Sequence, residues 1–144
     1  MTDLKSAEER LLKLIKRLRQ LGLDQFPDDE TPLSPAQMVL LEQIAYFPGS
    51  GVGDIADHLE LSPPTVSVGV SKLETRGLID RKPDPVDGRS VQFFLTERGQ
   101  RLDEKIHHAR QEKLTRLLGG LDPQDQERFL RLLEQALTAA EEED

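Results

Sequence analysis

The chain has 144 residues and carries 27 acidic against 19 basic side chains, a formal net charge of −8. That length fits one domain with a self-sufficient core, and the absence of cysteine excludes a disulfide scaffold, thiol catalysis, a cysteine redox switch and a thiolate zinc site. Taken whole, the negative charge also speaks against a nucleic-acid partner, since such domains are usually basic.

In chain order, Ser6-Ala7-Glu8-Glu9 reads as a capping box, in which a serine caps and a glutamate three residues on reaches back. Leu11, Leu14, Ile15, Leu18 and Leu21 then recur at helical spacing up to a stop at Gly22. Residues 24–32 are polar, carry two prolines and read as a loop. Ser34-Pro35-Ala36-Gln37 is a second capping box with proline at the first helical position. Its helix turns Met38, Leu41, Ile44 and Ala45 inward and ends before Pro48-Gly49-Ser50-Gly51. A short third helix carries Ile55, Ala56 and Leu59, and Ser62-Pro63-Pro64 opens a fourth that runs to about Arg76 and stops at Gly77.

After Gly77 the period changes. Leu78–Lys82 is β-prone, residues 83–88 are a dense turn signal in which Asp87-Gly88 favours a tight reversal, and Val91, Phe93 and Leu95 alternate as in a half-buried strand. Thr96 caps a long helix to Leu118, ended by Gly119-Gly120, and Asp122-Pro123-Gln124-Asp125 opens the last helix, with Leu130, Leu133 and Leu137 as its stripe and Phe129 beside it. No stretch approaches the ~18 consecutive apolar residues of a membrane span, and Met1–Arg10 lacks the apolar run of a signal peptide. The expectation is a soluble, cytoplasmic protein with no membrane partner.

Two short helices joined by a tight turn and followed by a hairpin describe a winged helix-turn-helix, in a chain that is mainly α with a small β-hairpin. The turn is Glu60-Leu61-Ser62; Ala56 suits a close helix crossing, and Leu59, Leu61, Val66, Val70 and Leu73 supply the interior. At about 100° per residue, Val66, Val70, Leu73 and Gly77 share the core side of the fourth helix. Pro64, Thr65, Val68, Ser71, Lys72 and Thr75 share the far side, with Ser67 on the flank.

That small, lightly basic face can enter a major groove about 12 Å wide, with hydroxyls and Lys72 toward phosphates or bases and Val68 toward a thymine methyl. The start of the helix offers N–H groups to a phosphate, though Pro63 and Pro64 remove two of them. An ordinary solvated amphipathic helix shows the same face. At the hairpin tip, Asp87-Gly88-Arg89 places an arginine suited to a narrow minor groove, with Asp87 able to orient its guanidinium. A common surface pair is the alternative there.

The order and spacing of these pieces resemble the MarR (multiple antibiotic resistance regulator) family. The matching segments are Leu33-Ser-Pro-Ala-Gln37 with Leu40-Leu41, Asp54-Ile-Ala56, Leu61-Ser62, Thr65-Val-Ser67, Leu73-Glu-Thr-Arg-Gly-Leu-Ile79, Arg81, Asp87-Gly-Arg89 and Leu95-Thr-Glu-Arg-Gly99. The resemblance implies a single domain over 1–144. In it, residues 34–99 form the winged DNA-binding region, and helices at about 4–22 and 100–141 pair two copies into a homodimer.

It further implies a repressor on a pseudo-palindromic operator in double-stranded DNA, released by a small, often phenolic or aromatic effector. Carried over by position, Ser62, Thr65, Ser67, Val68, Ser71 and Lys72 become recognition-helix contacts and Arg89 the wing contact, with Asp87 beside it in the DNA-binding set. Departures from the family pattern are Gly51 where a Ser or Thr cap is common, Glu60 where the turn usually has glycine, Gly69 inside the recognition helix, and Val68 where a polar or basic contact is common. Glu60 then either takes a left-handed conformation or alters the turn, and Gly69 costs the helix about 1 kcal/mol relative to alanine.

The rival readings are a winged-helix interaction module that has lost DNA binding, favoured by the acidic surface, and an enzyme. The enzyme finds no support: there is no phosphate loop, nucleophile elbow or HExxH. His58, His107 and His108 are the only histidines, and the adjacent pair cannot share a helix face, so no metal or cofactor is expected. Phe26, Tyr46 and Phe47 are candidates to line an effector pocket, with core packing the simpler role.

Partitioning the charge removes the objection raised by its total. Residues 35–61 carry −4 with no lysine or arginine, whereas residues 62–98, which hold the motifs, carry +1. A negative body with few basic contacts implies weak non-specific affinity for DNA.

Overall fold

The structure, a computed structural model, describes residues 3–23 and 32–142. Residues 1–2, residues 24–31 of the loop predicted at 24–32, with Phe26, and the tail residues Glu143 and Asp144 lie outside them. The chain divides into two compact units, residues 1–109 and 110–144. The elements are α1 (Leu4–Gln20), α2 (Pro35–Tyr46), α3 (Val52–Leu59), α4 (Pro63–Thr75), β1 (Ile79–Pro83), β2 (Val91–Leu95), α5 (Glu97–Leu118) and α6 (Pro123–Glu142). This is the mainly α winged helix-turn-helix expected from the sequence.

The core of the first unit is built by α2, α3, α4, the hairpin and the start of α5. Leu41 and Ile44 of α2, Ile55 of α3, Val66, Val70 and Leu73 of α4, Phe93 of β2 and Ile106 of α5 are buried together. The second capping box forms as predicted: the Ser34 hydroxyl accepts the Gln37 N–H at 3.1 Å and the Gln37 side chain accepts the Ser34 N–H at 2.9 Å. Leu40 is buried too, and its partner is the backbone of α4: a Cβ at Gly69 would overlap the Leu40 side chain. Gly69 therefore trades helix propensity for the close approach of α2 and α4, a reason the helix alone does not contain.

The hairpin pairs Ile79 with Leu95 and Pro83 with Val91 in antiparallel register. The other edge of β2 is also used: Phe93 donates to the Ser50 carbonyl at 3.0 Å and accepts from the Gly49 N–H at 2.9 Å. The segment Pro48–Gly51, read only as a helix stop, thus anchors the wing. Gly51 is part of that anchor, since a Cβ there would stand 3.1 Å from the Val91 carbonyl oxygen. The missing serine or threonine cap of α3 is offset in part by Asp54, whose carboxylate accepts the Gly51 N–H at 3.4 Å.

Thr96 caps α5 by accepting the Gly99 N–H at 3.0 Å and donates to the Gly77 carbonyl at 2.7 Å. Gly99 sits so close to the Leu78 carbonyl that a Cβ would overlap it. In the second unit, Asp122 caps α6 through the Asp125 N–H at 2.9 Å, and the Gln126 amide donates to the Leu118 and Leu121 carbonyls. No residue of α1 or α6 is buried. Among the described residues, no helix is long and apolar enough to cross a membrane.

Four local expectations are corrected. The Ser6 box is not used, because α1 begins at Leu4 with Asp3 as its N-cap and Ser6 already lies inside the helix. The Asp87-Gly88 reversal is a local turn and not a two-residue hairpin: the Ser90 N–H closes on the Asp87 carbonyl at 3.0 Å, but the strands end at Pro83 and resume at Val91, leaving a loop over 84–90. Prolines at 83 and 85 cannot donate to a ladder there, and carboxylates organise the loop instead. Gly77 is exposed with φ +73, a left-handed helix terminator rather than a core position. Tyr46 and Phe47 are exposed at the end of α2, where Tyr46 lies beside His107 and Phe47 tilts against His58 at 4.8 Å.

Candidate nucleic-acid interface

The turn before α4 is set by one strained residue. Glu60 takes φ 55 and ψ 43, the left-handed region that favours glycine. This lets the Leu61 N–H close back onto the Ala56 carbonyl at 3.0 Å. Ala56 is buried in the core to which α3 and α4 both contribute. Leu61 is 39% exposed, so it does not belong to the interior: the reversal carries it to the outer side of the turn.

The start of α4 offers little to a phosphate. The Ser62 hydroxyl accepts the Thr65 N–H at 3.3 Å and shares a 2.8 Å bond with the Thr65 hydroxyl, while Pro63 and Pro64 have no N–H. The expectation of an anion held by free donors at this helix start is therefore overturned. Further along, Ser67, Val68, Ser71, Lys72 and Thr75 are all exposed, with Val68 at 57%. Val66, Val70 and Leu73 are fully buried, so the sorting by angle holds for these residues. The exposed side borders a shallow cavity of about 590 Å³, which Gln37 and Arg76 also line. The Arg76 guanidinium donates to the Gln37 side chain at 3.5 Å. Neither residue was read from the sequence as part of this face, because their approach depends on how α2 and α4 pack.

The wing loop is tied by aspartates. Asp84 accepts the N–H groups of Val86 and Asp87 at 2.8 and 3.2 Å. Asp87 accepts the Arg89 N–H at 3.1 Å and the Ser90 hydroxyl at 3.3 Å. Asp87 thus holds the backbone of Arg89 and not its guanidinium, a correction to the expected charge-assisted pair. Neither Lys72 nor Arg89 forms an ion pair with any described residue. Arg81 and Lys82 are differently employed. Arg81 pairs with Glu74, whose hydrogen bond raises the guanidinium pKa above its ordinary value, and Lys82 lies 5.0 Å from the Phe94 ring.

The helix and the wing face a common space. A groove of about 670 Å³ is lined on one side by Ser67, Val70 and Ser71 of α4 and on the other by Ser90, Val91 and Gln92 of the wing. The structure thereby brings the α4 hydroxyls and the base of the Arg89 loop to one face. Among the described residues there is no cluster of three or more His, Cys, Asp or Glu side chains suited to a metal ion.

The sequence profile described as the MarR family matches residues 31–90, the stretch that holds α2, α3, α4 and the first strand of the wing. An HTH-type transcriptional regulator of Mycobacterium leprae is 30% identical over 121 residues, covering 84% of this chain and 82% of that protein. The chain belongs to the MarR family. An HTH-type transcriptional repressor of Mycobacterium tuberculosis is 28% identical over 122 residues, covering 81% of this chain and 88% of its own length. Among solved structures, the PcaV transcriptional regulator of Streptomyces coelicolor with its natural ligand is 26% identical, with a TM-score of 0.66 over 97% of this chain and 98% of that one. FabT of Streptococcus pneumoniae in complex with DNA shares the fold at 17% identity, with a TM-score of 0.81 over 99% and 100% of the two chains. As a MarR-family member, the chain is a transcriptional regulator of the helix-turn-helix type.

Proposed function

We propose that this MarR-family chain, a single domain over 1–144, acts as a homodimeric repressor in the cytoplasm, binding a pseudo-palindromic site in double-stranded DNA. The exposed face of α4 enters the major groove through Ser67, Val68, Ser71 and Lys72, with Ser62 and Thr65 at its leading end. The wing carries Arg89 to the minor groove, with Asp87 holding its backbone. The observation that carries this reading is the pair of ion-pair-free cations: Lys72 stands on the exposed face of α4 and Arg89 on the wing loop, and the two elements line one groove. A cation without an ion pair keeps its charge available for phosphate. The leucine stripes of α1 and α6, exposed in one chain, support pairing with a second copy. A small aromatic or phenolic compound is the effector class, and the protein acts by binding, not by catalysis.

The test is selection of bound sites from random duplex DNA at fixed salt, with and without aromatic acids. An enriched inverted repeat is expected, with affinity falling steeply as salt rises because phosphate contacts release counterions. Lys72→Ala and Arg89→Ala should each weaken binding to that site, by about 1–3 kcal/mol per contact. If no sequence is enriched and neither substitution changes affinity, the interaction-module reading takes its place.

A further inference from the structure

Glu74 is an acid on the element that must approach phosphate. Its carboxylate Oε1 accepts from both Nε and Nη2 of Arg81, at 3.2 and 2.6 Å. Arg81 lies in the middle of β1, opposite Phe93 in the register, and its guanidinium also stands 5.4 Å from the centre of the Phe93 ring. The guanidinium is therefore fixed from two directions, by the buried aromatic of the wing and by the last turn of α4. Among the described residues, this is the hydrogen-bonded side-chain pair that joins α4 to the hairpin strands. Farther out the two elements are separated by the groove between Ser67 and Ser71 on one side and Ser90 and Gln92 on the other. The root of the wing is held elsewhere, through the bonds of Phe93 to Gly49 and Ser50.

We infer that Glu74 and Arg81 are positioning residues that set the angle between the recognition helix and the wing, and so decide whether Arg89 reaches the minor groove while α4 lies in the major groove. The inference rests on the interface proposed above. An arginine fork fixes direction as well as distance, which a lysine does not. The pair is half-exposed, so its loss leaves the fold standing while loosening the wing.

The sign of one substitution separates positioning from charge. Glu74→Gln removes a negative charge near the DNA, and electrostatics alone would tighten binding. The positioning role gives the opposite: affinity for the selected site falls about 3- to 10-fold, a small fraction of the binding energy. The thermal midpoint should stay close to that of the unsubstituted chain. Arg81→Lys should reproduce the loss with the charge retained. Hydroxyl-radical footprinting should lose the minor-groove protection beneath the wing and keep the protection around the major groove. In a double-substitution cycle, Arg89→Ala should weaken the original protein but have little further effect in the Glu74→Gln background. Equal or tighter binding by Glu74→Gln overturns the inference, as does an Arg89→Ala penalty that is the same in both backgrounds. If Lys72→Ala and Arg89→Ala are themselves without effect, the proposed interface fails and this inference falls with it. If they matter and Glu74→Gln does not, only the positioning role is lost.

Discussion

The winged region and the terminal helices use the same apolar residues to opposite ends. In α4, Val66, Val70 and Leu73 are fully buried against neighbours from the same chain. In α6, Leu130, Leu133 and Leu137 keep a helical stripe of equal regularity, yet all three are exposed, as are Leu11, Leu14 and Leu18 of α1. A periodic stripe states that a face is to be covered and is silent on what covers it. Where the chain supplies the cover, the stripe is a core. Where it does not, as on α1 and α6, an exposed apolar face of this extent marks an interaction surface, and a second copy of the chain is the occupant proposed here.

The largest expected effects test that difference directly. Leu73→Ala should cost about 3 kcal/mol of stability by leaving a cavity in a filled core. The loss, read from chemical denaturation, should be the same at every protein concentration. Leu133→Glu should leave the winged core folded and instead shift the sedimentation profile toward the monomer, so that the thermal midpoint loses the concentration dependence of the paired chain. If Leu133→Glu sediments like the original protein, the comparison breaks, because α6 then needs another explanation for its stripe.

A smaller effect sharpens the comparison within the winged region. Gly99 lies where α5 begins, against the carbonyl of Leu78, and alanine there must displace backbone at both sites. Gly99→Ala should cost about 2 kcal/mol, in the range of overpacked cores, and a thermal melt should show it without any change in oligomeric state. An unchanged midpoint would mean that α5 can shift away from Leu78 freely.

These positions also mark how far the sequence could be read. Most of the helices and caps were legible because the signals are local: Ser34 and Gln37 make their reciprocal bonds within one turn, whereas the Ser6 box lies inside a helix that starts earlier. The inward and outward faces of α4 were legible for most residues because period alone decides them. What was not legible depends on partners distant in sequence. Gly69 looked like a propensity defect until Leu40 was seen to occupy the space a side chain would need. Pro48–Gly51 looked like a helix stop, and its bonds to Phe93 appear only once β2 is folded against it. In the candidate interface, Lys72 and Arg89 stand out from residue type and place, and both are without an ion pair to any described residue. Glu74 stayed silent in the sequence because an acid near the end of a helix carries no signal until its partner across the Gly77 turn is known. Asp87 was located but given the wrong bond, since sequence proximity to Arg89 does not tell backbone from side chain.

The smallest effect concerns the turn that joins α3 to α4, and its sign is stabilising. Glu60 holds a left-handed conformation with φ 55, at a cost of roughly 1–2 kcal/mol for a residue with a Cβ. Glycine removes that strain but adds freedom to the unfolded chain, which takes back about 0.5–1 kcal/mol. Glu60→Gly should therefore stabilise by about 0.5–1 kcal/mol, raising the melting temperature by about 2–4 °C per kcal/mol. Glu60→Gln isolates the cause, because it removes the same charge and keeps the Cβ. A gain in glycine alone assigns the effect to the backbone, whereas equal gains in both would assign it to the repulsion of a crowded acidic segment. Because the turn belongs to the winged region, the gain should be the same at low and high protein concentration, unlike any change made on the stripe of α6.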